Sequence, residues 1–211
     1  MKDYSFLKEY VAKIALIHAL EDTNYQKNLA ADYVGLDIED FEALAEHFEI
    51  DTSGYDAEVK ECGQITFHGD VVITDPCYSH NVYFDNIFHC KPGRYNCQIA
   101  MSDEGDWGER VSQIMITHED TCVDEDSIWM LASETGVDSG LAGFFENKPD
   151  DTSDWWDDFL GLCSEGEGWI HENDWSGFWS STGFGDGCYD IFVIKEGDEV
   201  VAAKIVFIPI Y

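Results

Sequence analysis

A chain of 211 residues with 45% hydrophobic and 14% aromatic residues is long enough to bury roughly 70% of its unfolded surface and too apolar for an acidic disordered tail. Lys and Arg number 11 against 44 Asp and Glu, a formal net charge of −33, which excludes electrostatic binding to DNA, RNA or an anionic bilayer because each needs a basic surface that displaces counterions. Met1 to Lys13 lacks a basic-then-apolar signal layout, no apolar run is long enough to span a bilayer, and the seven cysteines are odd in number with no CxxC pair; a soluble, cytoplasmic chain with reduced thiols is expected.

Between Tyr4 and Ile50 apolar residues recur at helical spacing, Phe6, Tyr10, Ile14 and Ile17 in one run and Phe41, Leu44, Ala45 and Phe48 in another. Asp37, with Asp40 three residues on, reads as an N-terminal cap, and Gly35 marks the turn before it. Ala31, Gly35, Leu36 and Leu44 approach helix-turn-helix spacing. The second helix, however, carries Asp37, Glu39, Asp40, Glu42, Glu46 and Glu49 where a DNA reader needs Lys or Arg, which favours a plain helical hairpin.

After the polar stretch 51–60 the pattern changes to short β-like runs: Gln64 to His68, Val71 to Thr74, Arg94 to Met101, Arg110 to Thr117, Ser127 to Ala132 and Gly136 to Phe145. Tyr189 to Ile194 and Val200 to Ile208 alternate around Glu196-Gly197-Asp198, a terminal hairpin. Asp150 to Cys163 reads as one inserted helix, with Thr152 or Ser153 as cap and Trp155, Trp156, Phe159, Leu160 and Cys163 on its apolar side. The fold class implied is α+β: a helical N-terminal segment over 1–60 followed by a mostly antiparallel β-sheet or sandwich domain over 61–211.

The first 60 residues hold 14 acids and 5 bases, the remainder 30 and 6; Ser102 to Asp174 alone has 21 acids against Arg110 and Lys148. The acids come in four groups at predicted loops: Asp103, Glu104, Asp106 and Glu109; Glu119, Asp120, Asp124, Glu125 and Asp126; Asp150, Asp151, Asp154, Asp157 and Asp158; Glu165, Glu167, Glu172 and Asp174. Duplex DNA carries about one charge per 110 Å² of surface. Spread over a third of an area on the order of 10,000 Å², the acidic segment carries about one per 170 Å². Such a density competes for a basic groove, although runs of charge also serve merely as a solvated face.

Five of the seven Trp fall between Trp155 and Trp179. They form either a local core beneath a long loop or, as Trp155, Trp169 and Trp175 ringed by carboxylates, anchors for a partner presenting Arg and Lys. A site that stacks on sugars is a third reading of the same residues.

No GxxxxGK[ST], GxSxG, HExxH or GxGxxG occurs, so catalysis has no support from the usual signatures. Gly183, Gly185 and Gly187 precede a strand and read as a turn or bulge. His68, Cys77, His80, His89, Cys90 and Cys97 are of zinc-ligating type, but His89 and Cys90 are adjacent and would point to opposite faces of a strand, and the spacing matches no common finger. The acidic loops lack a calcium-loop pattern. No metal and no cofactor is expected.

Gly69-Asp70-Val71-Val72-Ile73-Thr74-Asp75-Pro76-Cys77-Tyr78, Val137-Asp138-Ser139-Gly140-Leu141-Ala142-Gly143-Phe144, Gly183-Phe184-Gly185-Asp186-Gly187-Cys188-Tyr189 and the closing strand Val200 to Ile208 together resemble an uncharacterised family of small bacterial and phage proteins known only as a domain of unknown function. The resemblance covers most of 64–208 and implies a β-rich fold in a bacterial or phage setting, with no activity attached. Asp75, Asp138 and Asp186 either accept hydrogen bonds from nearby turn amides, Asp75 from its own downstream backbone, or converge on one metal or acid/base site.

The function expected from these residues is that of a non-enzymatic phage or mobile-element protein. It would imitate nucleic acid and block a basic groove of a host defence complex, a CRISPR effector or a restriction enzyme. Its partner would be a basic host protein or nucleoprotein complex, without direct nucleic-acid or membrane binding. An immunity protein for a basic toxin, or a metal-binding or hydrolytic enzyme using Asp75, Asp138 and Asp186, are the competing classes.

Overall fold

A computed structural model describes residues 5–23, 27–50, 58–76, 86–124, 127–147, 168–172 and 175–208. The chain divides into two compact units whose boundary falls between Asp56 and Ala57. The fold is α+β, three α-helices followed by two antiparallel sheets.

In the first unit, α1 (Ser5–Asp22), α2 (Lys27–Val34) and α3 (Ile38–His47) pack through Leu16, Ala19, Leu20, Ala30, Ala31 and Phe41. The buried face of α1 is not the expected stripe: Tyr10 and Ile14 are exposed and Leu16, Ala19 and Leu20 are covered. Small side chains on α1 and α2 let the helices approach closely, which a search for large apolar residues overlooks. Asp37 caps α3 as its spacing suggests, its Oδ1 accepting from the Asp40 amide at 2.8 Å.

Among the described residues the second unit holds eleven strands: β1 (Glu58–Phe67), β2 (Asp70–Thr74), β3 (Ile87–His89), β4 (Gly93–Asp103), β5 (Glu109–His118), β6 (Met130–Val137), β7 (Leu141–Glu146), β8 (Trp169–Glu172), β9 (Ser176–Ser181), β10 (Gly187–Glu196) and β11 (Glu199–Val206). They form a six-stranded sheet in the order β1-β4-β5-β11-β10-β6 and a five-stranded sheet in the order β3-β2-β7-β9-β8. The inner faces share one core, with Ile65, Phe67, Tyr95, Ile114, Ile116, Ile191 and Ile205 from the first sheet and Ile73, Phe144 and Phe178 from the second. Central β11 is buried along almost its whole length.

Three expectations are corrected. The single run read over Gly136 to Phe145 is two strands, β6 and β7, because Asp138-Ser139-Gly140 turns the chain, Gly140 having φ +69°. β6 accordingly starts at Met130, where a strand over Ser127 to Ala132 was expected. Finally, β3, β8 and β9 have no counterpart in the sequence reading. The helix predicted over Asp150 to Cys163 lies outside the described residues.

Candidate functional site

The three turn motifs meet. Asp75, fully buried at the end of β2, accepts hydrogen bonds from the Asp138 amide (2.9 Å), the Ser139 amide (2.9 Å) and the Ser139 hydroxyl (2.7 Å). The β6–β7 turn thus supplies partners that the sequence neighbourhood of Asp75 does not announce, while its own backbone over 77–85 lies outside the described residues. That turn in turn holds the third motif, the Thr182 amide donating to the Gly140 carbonyl at 3.0 Å. The Tyr189 hydroxyl closes the 182–187 turn by donating to the Gly185 carbonyl at 2.6 Å. Asp138 and Asp186 are exposed. The convergence is of backbones around one carboxylate, and among the described residues no group of three or more His, Cys, Asp or Glu has metal-binding geometry.

Strand register places the acidic groups. Asp103 lies opposite Glu109 at one end of the β4–β5 hairpin, and Tyr95 lies opposite His118 at the other. Asp103, Glu104, Asp106 and Glu109 therefore sit about 30 Å from Glu119, Asp120 and Asp124, ten residues of strand away. Between them, β1 and β4 carry amides and single charges of both signs, Gln64 donating to Asn96 at 2.8 Å, Arg94 donating to Gln64 at 3.3 Å and Glu61 accepting from Gln98. The Asp103 and Glu119 groups thus lie at opposite ends of the hairpin, and Glu61 on β1 and Glu134 on β6 lie along the sheet.

The two ends differ. At the Glu119 end, Lys91 lies 3.8 Å from Asp120 and 3.6 Å from Glu196, the Asp120 amide donates to buried His118 Nδ1 at 3.2 Å, and Asp124 accepts from the Ser127 hydroxyl at 2.9 Å. Asp124 is thus held within its own loop, and two carboxylates at the other end are held likewise, Asp103 accepting from the Gly105 amide at 3.0 Å and Glu104 from the Ser102 hydroxyl at 2.7 Å. At the Asp103 end, a 3-10 turn over Gly105–Trp107 lifts Trp107 into solvent, where it is 69% exposed, and the third motif brings up Phe184, 56% exposed. The rings meet edge to face, centroids 6.2 Å apart at 88°. Asp103, Glu104, Asp106 and Glu109 flank Trp107 in the chain and Asp186 follows Phe184. Arg110, the basic residue of this hairpin end, donates its Nε to the Trp107 carbonyl at 3.0 Å.

Trp107 is the residue that the sequence reading missed. A Trp within Gly-Asp-Trp-Gly at the tip between two strongly alternating strands has nowhere to be buried, and that was the available signal. The expected anchors are placed differently. Trp175, 7% exposed, packs with Trp179 and Phe145 in a small separate core, against which half-buried Trp169 lies. Glu172 is exposed at the end of β8. Glu125, Asp126, Asp150, Asp151, Asp154, Trp155, Asp157, Asp158, Glu165, Glu167 and Asp174 lie outside the described residues.

The zinc-type residues separate. Cys90 and Cys97 are buried in the main core, and burial pushes the Cys90 thiol up to about 12. His68 and His89 are exposed and paired with carboxylates, to Glu146 at 2.7 Å and Asp70 at 2.8 Å. Cys77 and His80 lie outside the described residues. A different group is anomalous: Lys204 on β11 is buried, its Nζ 4.8 Å from the Trp129 ring centre and 5.5 Å from that of Phe192. Burial lowers its amine to about 8.

Comparison with family models, with curated proteins and with solved structures returned no match. No helix among the described residues is long and apolar enough to cross a membrane.

Proposed function

We propose that the protein acts by binding a basic partner, occupying the nucleic-acid-binding groove of a bacterial defence complex with carboxylates in place of phosphates, as an inhibitor carried by a phage or mobile element. The observation that carries this reading is the exposed Trp107–Phe184 pair in the company of Asp103, Glu104, Asp106, Glu109 and Asp186. Aromatic faces take Arg and Lys by cation–π contact, and carboxylates take the same guanidinium forks that phosphates do. Exposed aromatic rings of this size on an otherwise charged end mark a contact surface.

Asp75 gives the enzymatic alternative no comparable support, since its oxygens already accept three protein hydrogen bonds in a fully buried site. The test is capture of partners from a bacterial host lysate by the immobilised protein. Basic nucleic-acid-binding proteins should be retained at low salt, displaced by added duplex DNA and released by about 1 M NaCl, where exposed charge pairs are screened beyond about 3 Å. A captured partner that resists both salt and DNA would overturn the reading.

A further inference from the structure

The six-stranded sheet has a second surface of interest at its β6 edge. β6 ends the strand order, so among the described residues β10 is its sole neighbour in the sheet. The upper half of its free edge is covered by Asn86, whose side-chain amide donates to the Glu134 carbonyl at 2.7 Å and accepts from the Ser133 hydroxyl at 2.6 Å. The lower half is open and apolar: Ile128 and Leu131 are each 62% exposed, and Met130 and Ala132 are exposed with them. Trp129 between them is buried against Phe192, Ala202 and Val206 and fastens this segment to the sheet.

An open apolar edge is a template for another strand, and proteins ordinarily block such edges with Lys, Pro or a covering segment. From Val123 to Val137 this chain has no Lys, Arg or Pro, and its charged residues are all acidic. Register places Glu134 directly opposite Asp190. Burial and then the Glu134 charge raise the Asp190 carboxyl above its ordinary value. Like charges facing one another on neighbouring strands are destabilising, and a cation laid alongside would relieve them.

We infer that the Ile128–Ala132 edge of β6 takes up an extended basic segment of a partner protein by strand addition, with apolar side chains of that segment covering Ile128 and Leu131 and a Lys or Arg reaching Glu134. Backbone hydrogen bonds would supply affinity and the alternating side chains selectivity. A second copy of the chain suits the edge less, because it brings another net charge of −33. The inference rests on the proposed function only for the sign of the partner's charge, since the surface is a different one.

The experiment uses the full chain and two synthetic peptides of about eight residues, one alternating Val and Lys and the other Val and Glu. The Val-Lys peptide should bind and slow hydrogen exchange at residues 128–132, Leu131→Lys should weaken it about tenfold or more by placing a charge on the open edge, and the Val-Glu peptide should not bind. Trp107→Ala should leave peptide binding unchanged, which separates failure here from failure of the acidic-end proposal. Three results would each overturn the inference: equal binding of both peptides, no protection at 128–132, or a wild-type dimer that Leu131→Lys makes monomeric.

Discussion

Asp75 and Ser139 are 64 residues apart in the chain and joined twice, the Asp75 carboxylate accepting from both the backbone amide and the hydroxyl of Ser139. A fully buried carboxylate with these donors fixes the β6–β7 turn and, through Gly140 and Thr182, the turn that carries Phe184. The exposed aromatic pair thus depends on a carboxylate inside the domain.

Asp75→Asn replaces one accepting oxygen by an NH₂ that faces donors. It should cost about 2–3 kcal/mol of stability, read as a lowered urea midpoint with unchanged slope. Asp186→Asn, at an exposed turn, should change stability by no more than about 0.5 kcal/mol. Equal effects of the two would refute a structural role confined to Asp75.

Lys204 gives a pH signature. Its folded value is lowered to about 8 from an ordinary 10.5, so burial favours the neutral amine despite the rings above it. Its contribution to stability is present above 10.5 and is lost as pH falls through about 8. Lys204→Met should therefore raise stability at pH 7 by roughly 1–3 kcal/mol. The advantage over wild type should shrink as pH climbs from 8 toward 10.5. Denaturant midpoints of the two proteins across that range are the measurement.

His89 titrates in the opposite sense. Its hydrogen bond to Asp70 raises its value above the ordinary 6.5, so what the pair contributes is complete below 6.5 and disappears as pH rises through the elevated value. An NMR titration of the His89 ring should show the raised midpoint, and Asp70→Asn should bring it down. An unchanged midpoint in that variant would remove Asp70 as the cause.

Trp107→Ala together with Phe184→Ala should leave the unfolding midpoint within about 0.5 kcal/mol of wild type, since both rings are largely in solvent. The same variant should lose most lysate capture. A variant that captures as well as wild type would show that the aromatic pair is not the contact.

β4 and β5 were legible because stretches of each bury alternate residues against the facing sheet, and β10 and β11 because an apolar run in each is buried on both faces. β9 was not: Ser176-Gly177-Phe178-Trp179-Ser180-Ser181 is buried on both faces without any period. Its glycine is a packing requirement, as a Cβ at Gly177 would strike the Trp175 and Phe145 rings. The acidic groups were legible as composition, but their distribution between opposite ends of a hairpin is set by register, which residue types alone do not specify. The motif aspartates were legible as turn residues, whereas the Asp138 and Ser139 donors to Asp75 are 63 and 64 residues downstream and leave no local signal.

The position of β11 governs assembly. It inserts between β5 and β10, so without Glu199–Val206 the larger sheet exists as two separate ribbons, β1-β4-β5 and β10-β6. A nascent chain must hold the raw flank of β5 open across some eighty intervening residues until this strand emerges, which makes closure a late, nonlocal and slow step. During biosynthesis that waiting flank is where misassociation would begin, and high negative charge on the surrounding loops keeps such half-built chains apart.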